Sequence, residues 1–144
     1  MKFEGFLHLN IRCAPDDIPL IEKFYGDVLG LKTGYRPNFK FDGIWLYDGD
    51  DPIVHVSARF PQGSIVKDQH NGSVDHIAFK ASGAVEFRKR LKKLGIAFEE
   101  QNIENAGYQV FVYDPVGTKI EFNFLNEHVA DAVPVGTTAE ANLR

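Results

Sequence analysis

One order of elements (strand, helix, strand, strand, strand) is predicted twice along this chain of 144 residues, and this internal repeat limits the possible folds more than any other feature. We expect an α+β domain over residues 1–125, with one module over residues 5–59 and a second over residues 74–125. Residues 60–73 contain proline, glycine and many polar side chains, which is typical of a linker. Residues 126–144 are small, polar and aperiodic, and we interpret them as a tail that would be ordered only by the body of the protein or by a partner.

Equal spacings in the two modules identify equivalent positions. The Tyr-Asp pair at 47–48 lies as far before His55 as the pair at 113–114 lies before Glu121. The first-strand histidine of each module is followed, at the same distance, by a basic residue. Three pairs of positions therefore correspond: His8 with His76, Arg12 with Lys80, and His55 with Glu121.

The spacing of apolar residues separates strands from helices. In the first module we expect strands over residues 6–12, 31–35, 43–47 and 53–58. In the second module we expect strands over residues 74–80, 96–99, 108–113 and 119–125, with a polar loop over residues 100–107. One helix in each module is expected to end at a Leu-Gly pair, at Gly30 and at Gly95. The basic residues between 88 and 93 are expected to form the solvated face of the second helix.

Glu121 is an acid in the middle of a predicted strand. Residues 119–124 alternate between polar and apolar side chains, so Glu121 lies on the polar face with apolar neighbours on both sides in sequence. A carboxylate in such a place is costly to bury unless another group pairs with it. We therefore look for groups that the fold could bring to Glu121.

The repeat supplies such groups. If a pseudo-two-fold axis relates the modules, each contributes one residue from its first strand and one from its last strand to a single cavity. Imidazole nitrogens and a carboxylate oxygen suit a divalent metal ion such as Zn, Ni, Fe, Mn or Co, and such an ion would offset the cost of burying the carboxylate. The candidate ligands are His8, His55, His76 and Glu121.

The composition argues against several other classes of protein. A net charge of −4 disfavours nucleic-acid binding, and no stretch approaches the roughly 18 consecutive apolar residues of a membrane span. Cys13 is the single cysteine, so we expect no internal disulfide and a packing or loop role for its thiol. We therefore expect a cytoplasmic protein that acts on a small molecule, without a nucleic-acid or membrane partner.

Two segments carry a resemblance to a known family. They are residues 24–31 (FYGDVLGL) and residues 114–121 (DPVGTKIE). Together with the paired repeat and the histidines His8 and His76, they resemble the vicinal oxygen chelate superfamily, which includes glyoxalase I, methylmalonyl-CoA epimerase, fosfomycin-resistance enzymes, extradiol dioxygenases and bleomycin-binding proteins. The resemblance covers about residues 5–125. It implies two βαβββ modules whose strands curl into a half-barrel around a metal site, and it implies a homodimer.

The same resemblance assigns roles to the candidate ligands. His8, His76 and Glu121 match the three positions shared by most metal-binding members of the superfamily. His55 matches a fourth position, at which glyoxalase I has Glu and methylmalonyl-CoA epimerase has Gln. Histidine is a departure at this position, so three roles stay open for His55: a fourth ligand, a general base beside the metal, or neither.

A mechanism shared by the superfamily follows from these positions. A substrate with oxygens on two neighbouring atoms is expected to chelate the metal while Glu121 or His55 moves a proton. Arg12 and Lys80 share strand faces with the ligands, and they would either bind an anionic part of the substrate or remain solvated charges at the rim. The same alternation makes further polar residues candidates for substrate binding: Asn10, Ser57, Arg59 and Asn123.

The resemblance implies an enzyme whose reaction class stays open. We expect an isomerase, epimerase or lyase first. Glutathione binding of the glyoxalase I kind is disfavoured, because residues 56–59 replace the Asn-Trp-Gly stretch that usually follows the fourth ligand position. An extradiol dioxygenase is the second alternative, although residues 107–111 lack the expected histidine. A metal-free binding protein of the bleomycin-resistance kind is the third, and the full set of candidate ligands argues against it.

Overall fold

The computed structural model describes residues 1–3, 5–64 and 74–133, and these residues form two compact units. One unit contains the described part of Met1–Gln69 together with Pro115–Gly117. The other contains the described part of His70–Asp114 and of Thr118–Arg144. Most of the predicted linker and the end of the predicted tail lie outside the described residues. Within the described part of the chain, no helix is long and apolar enough to cross a membrane.

The first unit is a four-stranded sheet with one α-helix. The sheet order is β1-β4-β3-β2, with β1 parallel to β4 and the other neighbours antiparallel. A short 3-10 helix, Pro15–Asp17, leads into the α-helix. The bounds are β1 Leu9–Cys13, α1 Ile18–Leu29, β2 Lys32–Thr33, β3 Gly43–Asp48 and β4 Asp51–Ala58.

The second unit repeats this arrangement. Its sheet order is β5-β8-β7-β6, and β5 again runs parallel to the last strand of its module, β8. The bounds are β5 Ile77–Lys80, α2 Ala84–Leu94, β6 Glu99–Ile103, β7 Gly107–Tyr113 and β8 Lys119–Phe124. Two helices and two four-stranded sheets confirm the predicted α+β class and the predicted repeat.

The strand register shows that the two modules are equivalent residue by residue. Asn10 in β1 pairs with His55 in β4, and Ala78 in β5 pairs with Glu121 in β8. His55 and Glu121 therefore occupy the same position in their sheets, as the spacing predicts. His8 and His76 each lie directly before the first strand of their module, whereas we expected both inside the strand.

Each helix buries its apolar side and ends at the predicted glycine. Helix α1 buries Ile21, Tyr25 and Val28. Helix α2 places the ring of Phe87 against two rings of β8, with centroid distances of 4.6 Å and 5.7 Å. Both Gly30 and Gly95 adopt positive φ angles, 77° and 67°, which close the helices at little steric cost.

The strand β6 differs from the prediction, which placed a short strand over residues 96–99 and a polar loop after it. The spacing of apolar residues does not identify this strand, because its side chains are polar and form hydrogen bonds with other parts of the unit. The amide of Gln101 donates to that of Gln109 on β7 at 2.8 Å, and Asn102 exchanges two hydrogen bonds with the backbone of Val129. Hydrogen bonds across the sheet therefore stabilise a segment whose sequence resembles a loop.

Arg88 also differs from the prediction that it lies on a solvated helix face. Its side chain is only 13% exposed, and its guanidinium group donates to Glu100 at 2.8 Å and to Asp131 at 2.7 Å. The hydroxyl of Tyr108 donates to the same buried Glu100 carboxylate. Hydrogen bonds to Asp131 and Glu100 raise the pKa of Arg88, and burial followed by the bond to Glu100 raises the pKa of Tyr108.

The first part of the predicted tail is ordered against the second unit. The carboxylate of Glu127 accepts hydrogen bonds from the backbone N–H groups of Gly83 and Ala84, at 2.7 Å and 2.8 Å. These groups begin helix α2 and lack partners within the helix, so a carboxylate at this end is stabilising. The side chain of Val129 is buried. The body of the protein thus orders the described part of the tail.

We predict that Glu100→Ala destabilises the protein far more than Asp131→Ala does, although both residues pair with Arg88. Glu100 is buried, and its loss leaves the largely buried guanidinium group of Arg88 without its buried partner, which costs about 3–5 kcal/mol. Asp131 is exposed, and solvent can replace it. Urea unfolding followed by circular dichroism measures both variants. Equal destabilisation by the two variants would contradict this account.

Candidate functional site

In the first unit, His55 lies between two other rings. The centroids of His8 and Trp45 are each 3.9 Å from that of His55, and the interplanar angles are 18° and 5°. His55 is 8% exposed, and its Nε2 atom has no hydrogen-bond partner among the described residues. Strand β4 and the stacked rings therefore hold a buried imidazole with one unpaired nitrogen.

The protonation state of His55 follows from this environment. Burial lowers the pKa of His55, the neighbouring His8 lowers it further, and a hydrogen bond with the backbone of Pro52 opposes these effects. A depressed pKa keeps the imidazole neutral near pH 7. Neutral imidazole is the form that binds metal ions and accepts protons.

In the second unit, Glu121 has the partners that its burial requires. Glu121 is 6% exposed, and its Oε2 atom lies 2.9 Å from Nε2 of His76. Its Oε1 atom accepts a hydrogen bond of 2.9 Å from the amide of Asn123. Glu121 therefore has a partner in His76, which is one of the candidate metal ligands, and the role of both residues as ligands stays a prediction.

Asp75 extends this pair and was not singled out from the sequence. Its Oδ2 atom lies 2.8 Å from Nδ1 of His76 and 3.3 Å from Nζ of Lys119. The hydrogen bond to His76 and then the ammonium group of Lys119 lower the pKa of Asp75. A carboxylate on the second nitrogen fixes the ring orientation of a histidine ligand. The adjacency of Asp75 and His76 in sequence is the only signal that would have indicated this role.

The donor atoms of the two pairs are of the kind that a divalent metal ion binds. Among the described residues, no group of three or more His, Cys, Asp and Glu side chains is placed so that it could hold a metal ion. The first unit offers His8 and His55, whereas the second offers His76 and Glu121. The unpaired Nε2 of His55 and the nitrogen–oxygen donor set are those that such an ion prefers.

The other predicted substrate-binding residues divide between the units. Asn10 and Arg12 line a pocket of the first unit that also includes His55 and Ser57. In the second unit, Asn123 donates its amide to Glu121, and Lys80 is exposed opposite Asn123 in the strand register.

That pocket has a volume of about 440 Å³, and all of its lining residues belong to the first unit. Besides Arg12, it contains two more arginines, Arg36 and Arg59. Its aromatic lining consists of Phe39, Phe41 and Trp45. Arg36, Phe39 and Phe41 belong to the segment between β2 and β3, and none of the three was among the predicted site residues. The clustering of basic and aromatic residues at 36–41 is the signal that would have indicated a binding surface.

Comparison with known proteins agrees with this architecture. The sequence model of the Glyoxalase/Bleomycin resistance protein/Dioxygenase superfamily matches residues 5–122. A protein of Arabidopsis thaliana named Glyoxylase I 4 is 30% identical over 118 residues, which cover 79% of this chain and 67% of the relative.

Solved structures show the same fold. A glyoxalase family protein of Bacillus anthracis has a TM-score of 0.69 and 22% identity, covering 90% of this chain and 98% of its own. A fosfomycin resistance protein of Listeria monocytogenes has a TM-score of 0.64 and 16% identity, covering 85% and 92%. A lactoylglutathione lyase of Agrobacterium tumefaciens has a TM-score of 0.60 and 19% identity, covering 88% and 96%. The chain therefore belongs to the Glyoxalase/Bleomycin resistance protein/Dioxygenase superfamily.

Proposed function

We propose that this protein is a metal-dependent isomerase, epimerase or lyase whose substrate carries oxygens on neighbouring atoms. One observation carries the proposal. In each unit, the histidine that precedes the first strand contacts a buried side chain of the last strand, His8 contacting His55 and His76 contacting Glu121. Because a buried acid and a buried imidazole occupy equivalent positions of a duplicated fold, the proposal, as predicted from the sequence repeat, is that the two pairs bind one ion.

The metal ligands in this proposal are His8, His76 and Glu121, with His55 as the fourth. A bound divalent ion would act as a Lewis acid that stabilises negative charge developing on a substrate oxygen. A mutant of the Listeria monocytogenes fosfomycin resistance protein, which has this fold, was crystallised in complex with Mn(II) and 1S,2S-dihydroxypropylphosphonic acid.

The chain's own residues would move and position the proton. Glu121 is the proposed base, and the amide of Asn123 fixes the orientation of its carboxylate through a 2.9 Å hydrogen bond. His55 is the alternative base, because its Nε2 atom is unpaired and its ring plane is fixed by Trp45. Asp75 is a positioning residue that orients His76. The homodimer and the cytoplasmic location remain predictions from the sequence.

We predict that the protein, freed of metal by chelation and then dialysed, binds about one divalent ion per chain. His76→Ala and Glu121→Ala should each weaken binding more than the roughly 10–100-fold that outer-shell changes cause, because each removes a ligand. His128→Ala is the matched control, since His128 is exposed. Titration with Co(II), read by its visible absorption, and metal analysis measure binding. Failure to bind Mn, Fe, Co, Ni or Zn would favour a metal-free binding protein.

Asp75→Asn tests the positioning role. We expect it to lower metal affinity by roughly 10–100-fold while leaving the stoichiometry unchanged, because the amide retains the shape of the side chain but not the charge that orients His76. Asp50→Asn, in the exposed turn before β4, is the control. The same Co(II) titration provides the measurement. Identical affinities for Asp75→Asn and the unmodified protein would remove Asp75 from the site.

We predict that Glu121→Gln slows proton transfer by roughly 10²–10⁴-fold, the usual contribution of a positioned acid or base. The measurement is NMR detection of deuterium exchange at carbon in a panel of 2-hydroxycarbonyl compounds, at saturating metal and with metal content verified. Glu104→Gln, an exposed acid after β6, should behave as the unmodified protein does. Oxygen uptake by the iron-loaded protein with catechols, without exchange, would support a dioxygenase instead.

A further inference from the structure

The pocket of the first unit is unusually basic for this chain. The protein carries a net charge of −4, yet three arginines line this cavity and no acidic residue does. Among the described residues, neither Arg12 nor Arg36 nor Arg59 forms an ion pair. Guanidinium groups gathered without carboxylates repel one another, and an anion placed between them would relieve that repulsion.

Aromatic rings hold these arginines in place. The guanidinium carbon of Arg59 lies 3.5 Å from the ring centroid of Phe41. That of Arg36 lies 4.8 Å from the centroid of Phe39 and 5.0 Å from that of Phe41, and its Nη2 atom donates to the carbonyl of Phe41 at 2.8 Å. A guanidinium group stacked on a ring keeps its N–H edges free for a ligand, and less rotational freedom is lost on binding.

The segment that carries Arg36 is fixed at both of its ends. The backbone N–H of Gly34 donates to the carbonyl of Trp45 at 3.1 Å, and the hydroxyl of Tyr47 donates to the carbonyl of Tyr35 at 2.6 Å. At the other end, the N–H of Ala58 donates to the carbonyl of Asp42 at 2.8 Å. These bonds tie the segment to β3 and β4, so the pocket wall is organised before a ligand arrives.

The second module has no counterpart of this wall. Residues 34–42 join β2 to β3 in the first module, whereas residues 104–106 alone join β6 to β7 in the second. The extra length in the first module carries one arginine and two of the aromatic rings of the pocket. An addition present in only one of two equivalent modules is expected to serve recognition, because the repeat shows that the fold does not need it.

We propose that this pocket recognises an oxyanion, a carboxylate or a phosphate or phosphonate, attached to the substrate next to a flat apolar group. Arg36 and Arg59 bind the anion, Arg12 adds charge at the rim, and Trp45 and Phe39 contact the apolar part. The volume of about 440 Å³ suits a small molecule of this kind. His55 lies in the same pocket, so this inference rests on the proposed function and names the substrate class of that site.

Trp45 makes the pocket directly measurable, because it is the single tryptophan of the chain. Phenylphosphonate, benzoate and uncharged benzyl alcohol are titrated into the metal-free full-length protein, with tryptophan fluorescence excited at a wavelength the ligands do not absorb. We expect saturable changes with one or both anions and none with the alcohol over the same range. The relative affinities of the two anions distinguish a phosphonate-type from a carboxylate-type substrate.

Variants identify the binding groups. Arg36→Gln and Arg59→Gln should each weaken anion binding about tenfold or more, as expected for the loss of hydrogen bonds to a charged group. Arg90→Gln is the matched control, because Arg90 is an exposed residue of helix α2. Circular dichroism verifies folding. Since Arg36 also holds the segment backbone, Arg59→Gln decides the matter if Arg36→Gln misfolds.

Three results would overturn the proposal: no saturation with either anion, binding of benzyl alcohol as tight as that of the anions, or equal weakening by Arg90→Gln. Because the titration uses metal-free protein, its outcome is separate from that of the metal titration. Anion binding without any metal binding would support the pocket and contradict the enzyme. Metal binding without anion binding would contradict the proposed pocket and leave the proposed metal-dependent enzyme supported.

Discussion

The parallel pairing of the first and last strands of each module is the constraint on which the candidate site depends. Parallel strands cannot be joined by a tight turn, so the helix and two further strands must lie between them in sequence. The pairing brings the histidine that precedes the first strand beside a residue near the middle of the last strand. The residues of each pair, His8 with His55 and His76 with Glu121, are far apart in sequence and in contact in the fold.

Equivalent positions of the two modules carry side chains of different chemistry. The position of His55 in β4 is that of Glu121 in β8, so one module supplies a neutral imidazole and the other a carboxylate. The wall of basic and aromatic residues between β2 and β3 belongs to the first module only. The repeat thus fixes where these groups lie in each module, whereas the residue types at equivalent positions differ between the modules.

The sequence predicts those parts of the structure that local pattern determines. The alternation of polar and apolar residues predicts the repeated strands and places Glu121 on the polar face of its strand. The Leu-Gly pairs predict where the two helices end. The local pattern does not predict β6, because the side chains of Gln101 and Asn102 form hydrogen bonds with residues that lie elsewhere in the sequence. It fails at Arg88 for a related reason, since a helix face that looks solvated is covered by residues after β8. The arginine pocket is equally non-local, as β1, β4 and the segment before β3 all contribute to it.

Two buried acids show why burial alone does not identify a functional residue. Glu100 accepts hydrogen bonds from Arg88, from Tyr108 and from the backbone of Val133, so a guanidinium group and two further donors balance its charge. The partners of Glu121 are the neutral amide of Asn123 and the imidazole of His76, whose side chain is 34% exposed. A metal ion at Glu100 would have to displace the permanently charged Arg88, which would break a buried ion pair. At Glu121, by contrast, a metal ion could replace the direct contact with His76 and bind both side chains as ligands. Of these two buried acids, Glu121 is therefore the one whose charge the described chain balances less completely, which is why it is the proposed ligand and base.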